Sequence, residues 1–118
     1  MLTNKEVGII YQIIKRCERI RNKTENISLE AFINDEDVKE VVCFNIFQIG
    51  ELSNKLSEDF INKYNKIPWK YINGMRNRIV HGYDTIDLDI VWNTAMISIV
   101  ELEEYCEEIV NIERIAQC

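Results

Sequence analysis

One proline and four glycines in 118 residues leave this chain few places to turn sharply. Proline lacks a backbone donor and fixes φ, and glycine weakens regular structure, so a chain poor in both favours long helices over strands and turns. The apolar residues point the same way. Val7, Ile10, Ile14 and Cys17 recur at spacings of three and four, and Ile9, Ile13 and Ile20 widen that stripe.

Thr3-Asn4-Lys5-Glu6 has the form of a capping box, which predicts a first helix from there to about Lys23. Ser28 is placed to cap a short turn that runs to Asn34, and Asn34 or Asp35 to cap a second long helix. The stripe of that helix is Val38, Val42, Asn45, Ile49, Leu52 and Leu56. Asn45 puts a polar group among apolar ones, either as a hydrogen-bonded interior asparagine or as a group lining a cleft. Gln48 and Glu51, on a nearby face, pose the same question. Ser57-Glu58-Asp59-Phe60 opens a short third helix. Ile67-Pro68-Trp69 starts a fourth, with proline in its first turn. This fourth helix carries Ile72, Met75 and Ile79 inward and is expected to end near His81, with Gly82 as a left-handed residue just beyond. Asp84 or Asp87 begins the last helix, striped by Leu88, Trp92, Ala95, Ile99, Leu102, Cys106 and Ile109. Apolar residues on its other faces from Ile86 to Val100 suit a central helix or a dimer face. The acidic run from Glu101 to Glu108 reads as a solvated face. With no convincing strand pattern and no internal repeat, the expectation is one all-α domain over residues 1–118, an up-and-down bundle of about five helices.

No apolar run reaches the roughly 18 residues that a membrane span needs, and the first residues lack the apolar core of a signal peptide. A cytoplasmic protein with no membrane partner is the default expectation. Cys17, Cys43, Cys106 and Cys118 lie far apart, and three of them fall inside apolar stripes. They read as reduced thiols, and their spacing does not suit a zinc site. No metal or cofactor is expected.

The net charge of −6 is unevenly spread. From Phe60 to Tyr83 there are five basic residues (Lys63, Lys66, Lys70, Arg76, Arg78) and no acid, whereas Asp84 to Cys118 holds nine acids against Arg114. An acidic chain is a poor general binder of nucleic acid, so any RNA contact is expected to be local to the basic segment. Within it lies Arg76-Asn77-Arg78-Ile79-Val80-His81-Gly82-Tyr83, which holds the only histidine. Imidazole exchanges protons near neutral pH, and the planar fork of arginine stabilises charge on phosphate. Cleavage of RNA through its 2′-hydroxyl needs a base for that hydroxyl, an acid for the leaving oxygen and a cation for the phosphorane. One histidine cannot readily serve both sides of the phosphate, so a two-fold dimer with two histidines in one cleft is the expected active form. On an ideal helix Arg76 and His81 stand about 140° apart, and Arg78 lies nearer to His81. Spacing alone therefore favours Arg78 as the neighbour of the histidine.

Arg76-Asn77-x-x-x-His81 resembles the R-x4-6-H motif of HEPN domains. With Tyr83 it resembles the R-x4-H-x-Y signature of HepT-like toxins from HEPN/MNT toxin–antitoxin pairs. Ile67-Pro68-Trp69-Lys70, Gly74-Met75-Arg76-Asn77-Arg78, Asp87-Leu88-x-x-Val91-Trp92 and Gln48-Ile49-Gly50-Glu51 look like the same family, so the likeness covers nearly the whole chain in order. The resemblance implies a single HEPN bundle that forms a homodimer and cuts RNA without a metal. It implies catalysis by Arg76 and His81, with Asn77 supporting, and leaves Arg78 a phosphate contact. Tyr83 becomes a residue beside the substrate that a cognate MNT-type nucleotidyltransferase antitoxin silences by AMP transfer. A different reading of the same residues is a non-catalytic helical partner of a nucleotidyltransferase that holds a nucleotide or RNA without cutting it.

Overall fold

The computed structural model describes residues 4–116, and every element among them is helical. The long elements are α1 (Asn4–Thr24), α3 (Glu36–Ser53), α5 (Trp69–Gly82) and α7 (Ile99–Ala116). The short ones are α2 (Leu29–Asn34), α4 (Glu58–Lys63) and α6 (Leu88–Asn93). α1 packs against both α3 and α7, and α5 packs against α3. The expected all-α bundle is therefore what the chain forms, with its core built from Ile10, Ile13, Cys17, Val42, Ile49, Phe60, Met75, Val91 and Cys106 among others.

The helix starts are set by the short polar residues that the sequence offers. Ser28 Oγ accepts from the Ala31 N–H at 3.1 Å, Asp35 from Val38 at 3.1 Å and Ser57 from Phe60 at 3.2 Å. Each bond satisfies a donor that the first helical turn would leave open. Asp87, not Asp84, caps α6, accepting from the Asp89 N–H at 2.9 Å. Thr3 of the expected capping box lies outside the described residues. Its partner Glu6 accepts from both the backbone N–H and the hydroxyl of Ser57, at 3.2 and 2.7 Å, and so ties the start of α1 to the start of α4.

Four expectations need correction or sharpening. Gly82 is not left-handed: its φ is −162°, it is the last residue of α5, and the chain continues into a 3-10 turn at Tyr83–Thr85. The last helix is not uniform. Thr94–Ser98 forms a π turn between α6 and α7, closed by the Ile99 N–H donating to Thr94 O. Asn45 is the hydrogen-bonded interior residue: its amide donates to Val41 O at 2.7 Å and its oxygen accepts from Arg16 at 3.2 Å. The acidic run on α7 is exposed at Glu101, Glu104, Glu107 and Glu108, but Glu103 is buried and takes two bonds from Arg21, at 3.0 and 3.1 Å. Cys17, Cys43 and Cys106 are free and buried, and Cys118 lies outside the described residues. Burial pushes the Cys43 thiol up to about 11 and Cys106 to about 12, and raises Cys17 as well, so all three stay protonated and unreactive.

A second buried acid joins α4 to α7. Glu113 accepts a hydrogen bond from the Tyr64 hydroxyl and another from Lys63 Nζ at 3.1 Å. The Tyr64 bond, helped by Lys63, holds its carboxyl below the ordinary value of 4.5 despite burial. A depressed carboxylate stabilises the fold above its unfolded value and loses that contribution as pH falls through its folded value. Glu113→Gln should therefore lower the melting temperature by a few degrees at neutral pH, and the gap from wild type should close as the pH falls below the ordinary carboxyl value of 4.5. Thermal melts followed by circular dichroism across that range are the check; a gap that stays constant with pH would show that the charge of Glu113 contributes nothing.

Candidate active site

α5 carries the basic segment, and its start is fixed tightly. Pro68 stands at the cap position, where its missing N–H costs nothing, and its carbonyl accepts from Ile72 at 3.1 Å. The indole N–H of Trp69 donates to Tyr64 O at 3.1 Å. Ile72, Met75 and Ile79 then turn inward at spacings of three and four, which leaves Arg76 at the edge of the buried stripe, facing α3.

That edge is where the two helices come closest. A Cβ placed on Gly50 of α3 would lie 2.5 Å from Arg76 Cβ and 2.6 Å from its Cγ. Gly50 is thus a glycine because the stem of Arg76 occupies the space. The next residue, Glu51, receives the head of the same side chain. Its Oε1 lies 2.7 Å from Nε and 2.6 Å from Nη2 of Arg76. Nη1 donates to Asn77 Oδ1 at 2.8 Å, and the guanidinium sits 5.8 Å from the centre of the Phe47 ring. A guanidinium has five N–H groups. Nε and Nη1 each donate one hydrogen bond and Nη2 adds the ion-pair contact, so at least two N–H groups remain for an anion. The pair is only partly shielded, with 28% of the Arg76 side chain exposed, so the head can be reached from solvent. The sequence posed Glu51 as a question; its answer is that Glu51 aims Arg76.

The other candidates fall on different faces. Asn77, Arg78 and His81 are exposed, and His81 and Arg78 have no hydrogen-bond or ionic partner among the described residues. Because α5 runs without a break to Gly82, Arg76 and His81 stay about 140° apart around its axis. The structure joins Arg76 to Asn77 but does not bring either arginine onto His81. Arg78 lines a separate cleft with Tyr71, Gly74, Met75, Ile90 and Asn93. Tyr83, in the 3-10 turn, is half-buried and lines a shallow apolar groove with Glu40, Cys43, Phe44, Phe47, Ile79 and Val80. Partial burial raises its phenol above 10.0, and Cys43, Glu40, Glu36 and Asp84 add to the rise. Phe47 connects the two sites, since it underlies Arg76 and walls the groove of Tyr83. Among the described residues no three acidic, histidine or cysteine side chains gather as metal donors. No helix among them is long and apolar enough to cross a membrane.

The family model described as "Ribonuclease HepT-like" matches residues 13–109. "Putative RNase TTE0752" of Caldanaerobacter subterraneus subsp. tengcongensis is 33% identical over 102 residues, covering 86% of this chain and 91% of the relative. "Putative RNase MJ1216" of Methanocaldococcus jannaschii is 36% identical over 103 residues, covering 87% and 85%. "Probable ribonuclease HepT" of Thermococcus cleftensis is 29% identical over 97 residues, covering 82% and 88%. No solved structure matches the chain.

Gly50 and Gly74, each inside a helix, make a paired test of the close approach. Alanine is the better helix former by about 1 kcal/mol. At Gly50 that gain meets a clash with the Arg76 stem, and overpacking costs about 1–3 kcal/mol. At Gly74 a Cβ meets nothing within 4 Å. Gly50→Ala should lower the melting temperature, by roughly 5 °C, and Gly74→Ala should leave it unchanged or raise it. Equal melting temperatures for the two variants would mean that α3 and α5 are not in such tight contact.

Proposed function

The chain belongs to the HepT-like ribonuclease family, and from that premise we propose that it is a metal-independent endoribonuclease, the toxin of a toxin–antitoxin pair, acting as a homodimer. The observation that carries the catalytic reading is the arrested state of Arg76. Glu51 and Asn77 hold its head in one orientation and leave N–H groups on Nη1 and Nη2 for an anion, on the helix that also presents an exposed His81. Held in advance, the fork stabilises a phosphorane without reorganising during the reaction.

In this reading the substrate 2′-oxygen attacks the adjacent phosphorus as the bond from phosphorus to the 5′-oxygen breaks. One His81 takes the 2′-hydroxyl proton and the other, from a second copy, gives a proton to the leaving 5′-oxygen. The products are a 2′,3′-cyclic phosphate and a free 5′-hydroxyl. Arg76 and the amide of Asn77 bind the phosphate oxygens, and Arg78 contacts a neighbouring phosphate. The separation of about 140° between Arg76 and His81 on one helix supports the composite arrangement, because a second copy of α5 can supply the histidine that the first directs elsewhere.

Tyr83 is the control point in the same proposal. A nucleotidyltransferase antitoxin transfers AMP from ATP to its hydroxyl, releasing pyrophosphate. The adenylyl group brings a negative phosphate and bulk beside Phe47, hence beside Arg76, where RNA phosphate would sit. Partial burial raises the phenol above 10.0, so it is protonated at neutral pH and the transfer requires a base.

Replacing His81 or Arg76 with alanine should reduce RNA cleavage by about 10²–10⁴-fold with an unchanged helical circular dichroism spectrum. EDTA should leave the wild-type rate as it was. Gel analysis of a radiolabelled transcript is the measurement, and undiminished cutting by the purified His81→Ala protein would sink the mechanism. Incubation with the partner and ATP should add AMP mass to the wild type and none to Tyr83→Phe, read by intact-mass spectrometry; labelled Tyr83→Phe would place the modification elsewhere.

A further inference from the structure

On the side of α5 turned towards α6 lies a cleft of about 370 Å³, separate from the Arg76–Glu51 pair and lined by Tyr71, Gly74, Met75, Arg78, Ile90 and Asn93. We propose that this cleft is a subsite for one unpaired nucleotide of single-stranded RNA, its base stacked on Tyr71 and its phosphate on Arg78.

Three observations carry it. Tyr71 is a fixed plate. Thr94 donates its one hydroxyl hydrogen to Ile90 O at 2.8 Å, so the Tyr71 hydroxyl is the donor in its 2.6 Å contact with Thr94. That bond pins the ring to the π turn. Tyr71 lines both the open cleft and a small apolar void inside the bundle, bounded by Ile46, Ile49 and Leu102 among others, yet it is 41% exposed. Stacking favours a ring of this kind, rigid and half-open, because little freedom is lost on binding.

The second observation is Gly74. Glycine in the middle of a helix is unfavourable by about 1 kcal/mol against alanine. Gly50 has a reason inside the chain; Gly74 has none, because a Cβ there meets nothing within 4 Å. Tyr71, Gly74 and Arg78 lie at spacings of three and four, so the glycine leaves bare backbone between the ring and the cation. A flat base can approach there as no side chain would allow. The third is the polar complement. Arg78 has no acidic partner among the described residues, and the exposed Asn93 can both donate to and accept from the edge of a base. Single-stranded RNA is bound by such pairings of aromatic face and cation.

The inference extends the proposed cleavage reaction by giving the strand a second point of attachment, and it can fail independently. Fluorescence anisotropy of a short fluorescein-labelled single-stranded RNA is measured on His81→Ala protein, which the proposal above expects not to cut. Tyr71→Leu in that background should weaken binding roughly tenfold, and Tyr71→Phe, which keeps the ring, should bind nearly as well as the parent. Gly74→Leu, at a position where a Cβ meets nothing within 4 Å, should weaken binding by a similar factor. Unchanged affinity in both Tyr71→Leu and Gly74→Leu overturns the subsite. So does a Gly74→Leu protein that alters only its oligomeric mass, which would assign the face to contact between copies. In wild type, cleavage whose KM ignores Tyr71→Leu refutes the subsite and leaves the ribonuclease standing. Tyr71-dependent binding with no cleavage by wild type does the reverse.

Discussion

The approach of α5 to α3 at Gly50 governs where the functional side chains stand. Because Gly50 carries no side chain, the stem of Arg76 lies against helix backbone, and its head then has one acid within reach, Glu51. The partially exposed ion pair adds little stability by itself. Its importance is directional: it fixes the roll of α5 on α3. With that roll set, Ile72, Met75 and Ile79 are inside, Asn77 and His81 face solvent, and Tyr71 and Arg78 face α6. One side-chain deletion in α3 thus determines three faces of a neighbouring helix.

Most of the fold was legible because its signals are local. Caps at Ser28, Asp35 and Ser57, the proline before Trp69 and the spacing of apolar residues all act within a turn or two. Part of what was missed depends on partners far apart in the chain. The burial of Glu103 could not be read from an acidic run, because Arg21 lies 82 positions away. The π turn was hidden because the stripe of Leu88, Trp92, Ala95, Ile99, Leu102 and Cys106 keeps apolar residues at spacings of three and four, compatible with a plain helix. The left-handed expectation for Gly82 followed a general preference of glycine at helix ends, but here a 3-10 turn continues the chain without that conformation.

The candidate site was legible as a list and not as an arrangement. Arg76, Asn77, Arg78, His81 and Tyr83 were named from one segment. Helical geometry then spread them over α5 and the turn after it. Spacing favoured Arg78 beside His81, whereas packing gives Arg76 the fixed head and Arg78 a cleft of its own. Gln48-Ile49-Gly50-Glu51 offered the missing clue. Here Gly50 followed by Glu51 is the crossing point with a long cation, though nothing in the sequence says that Arg76 is the one that arrives.

The π turn at Thr94–Ser98 holds one residue more than a regular helical turn. An extra residue shifts angular phase by about 100°. The residues before it are therefore free to follow the contour of α2 and α5 while those after it follow α1. One continuous rod thus meets different neighbours before and after the turn. The join is also where Thr94 meets Tyr71, so the phase shift is absorbed beside a ring that faces solvent. Deleting a single residue here would restore a straight helix and misalign one half of the molecule with the other, which makes the length of this segment less free to vary than its sequence.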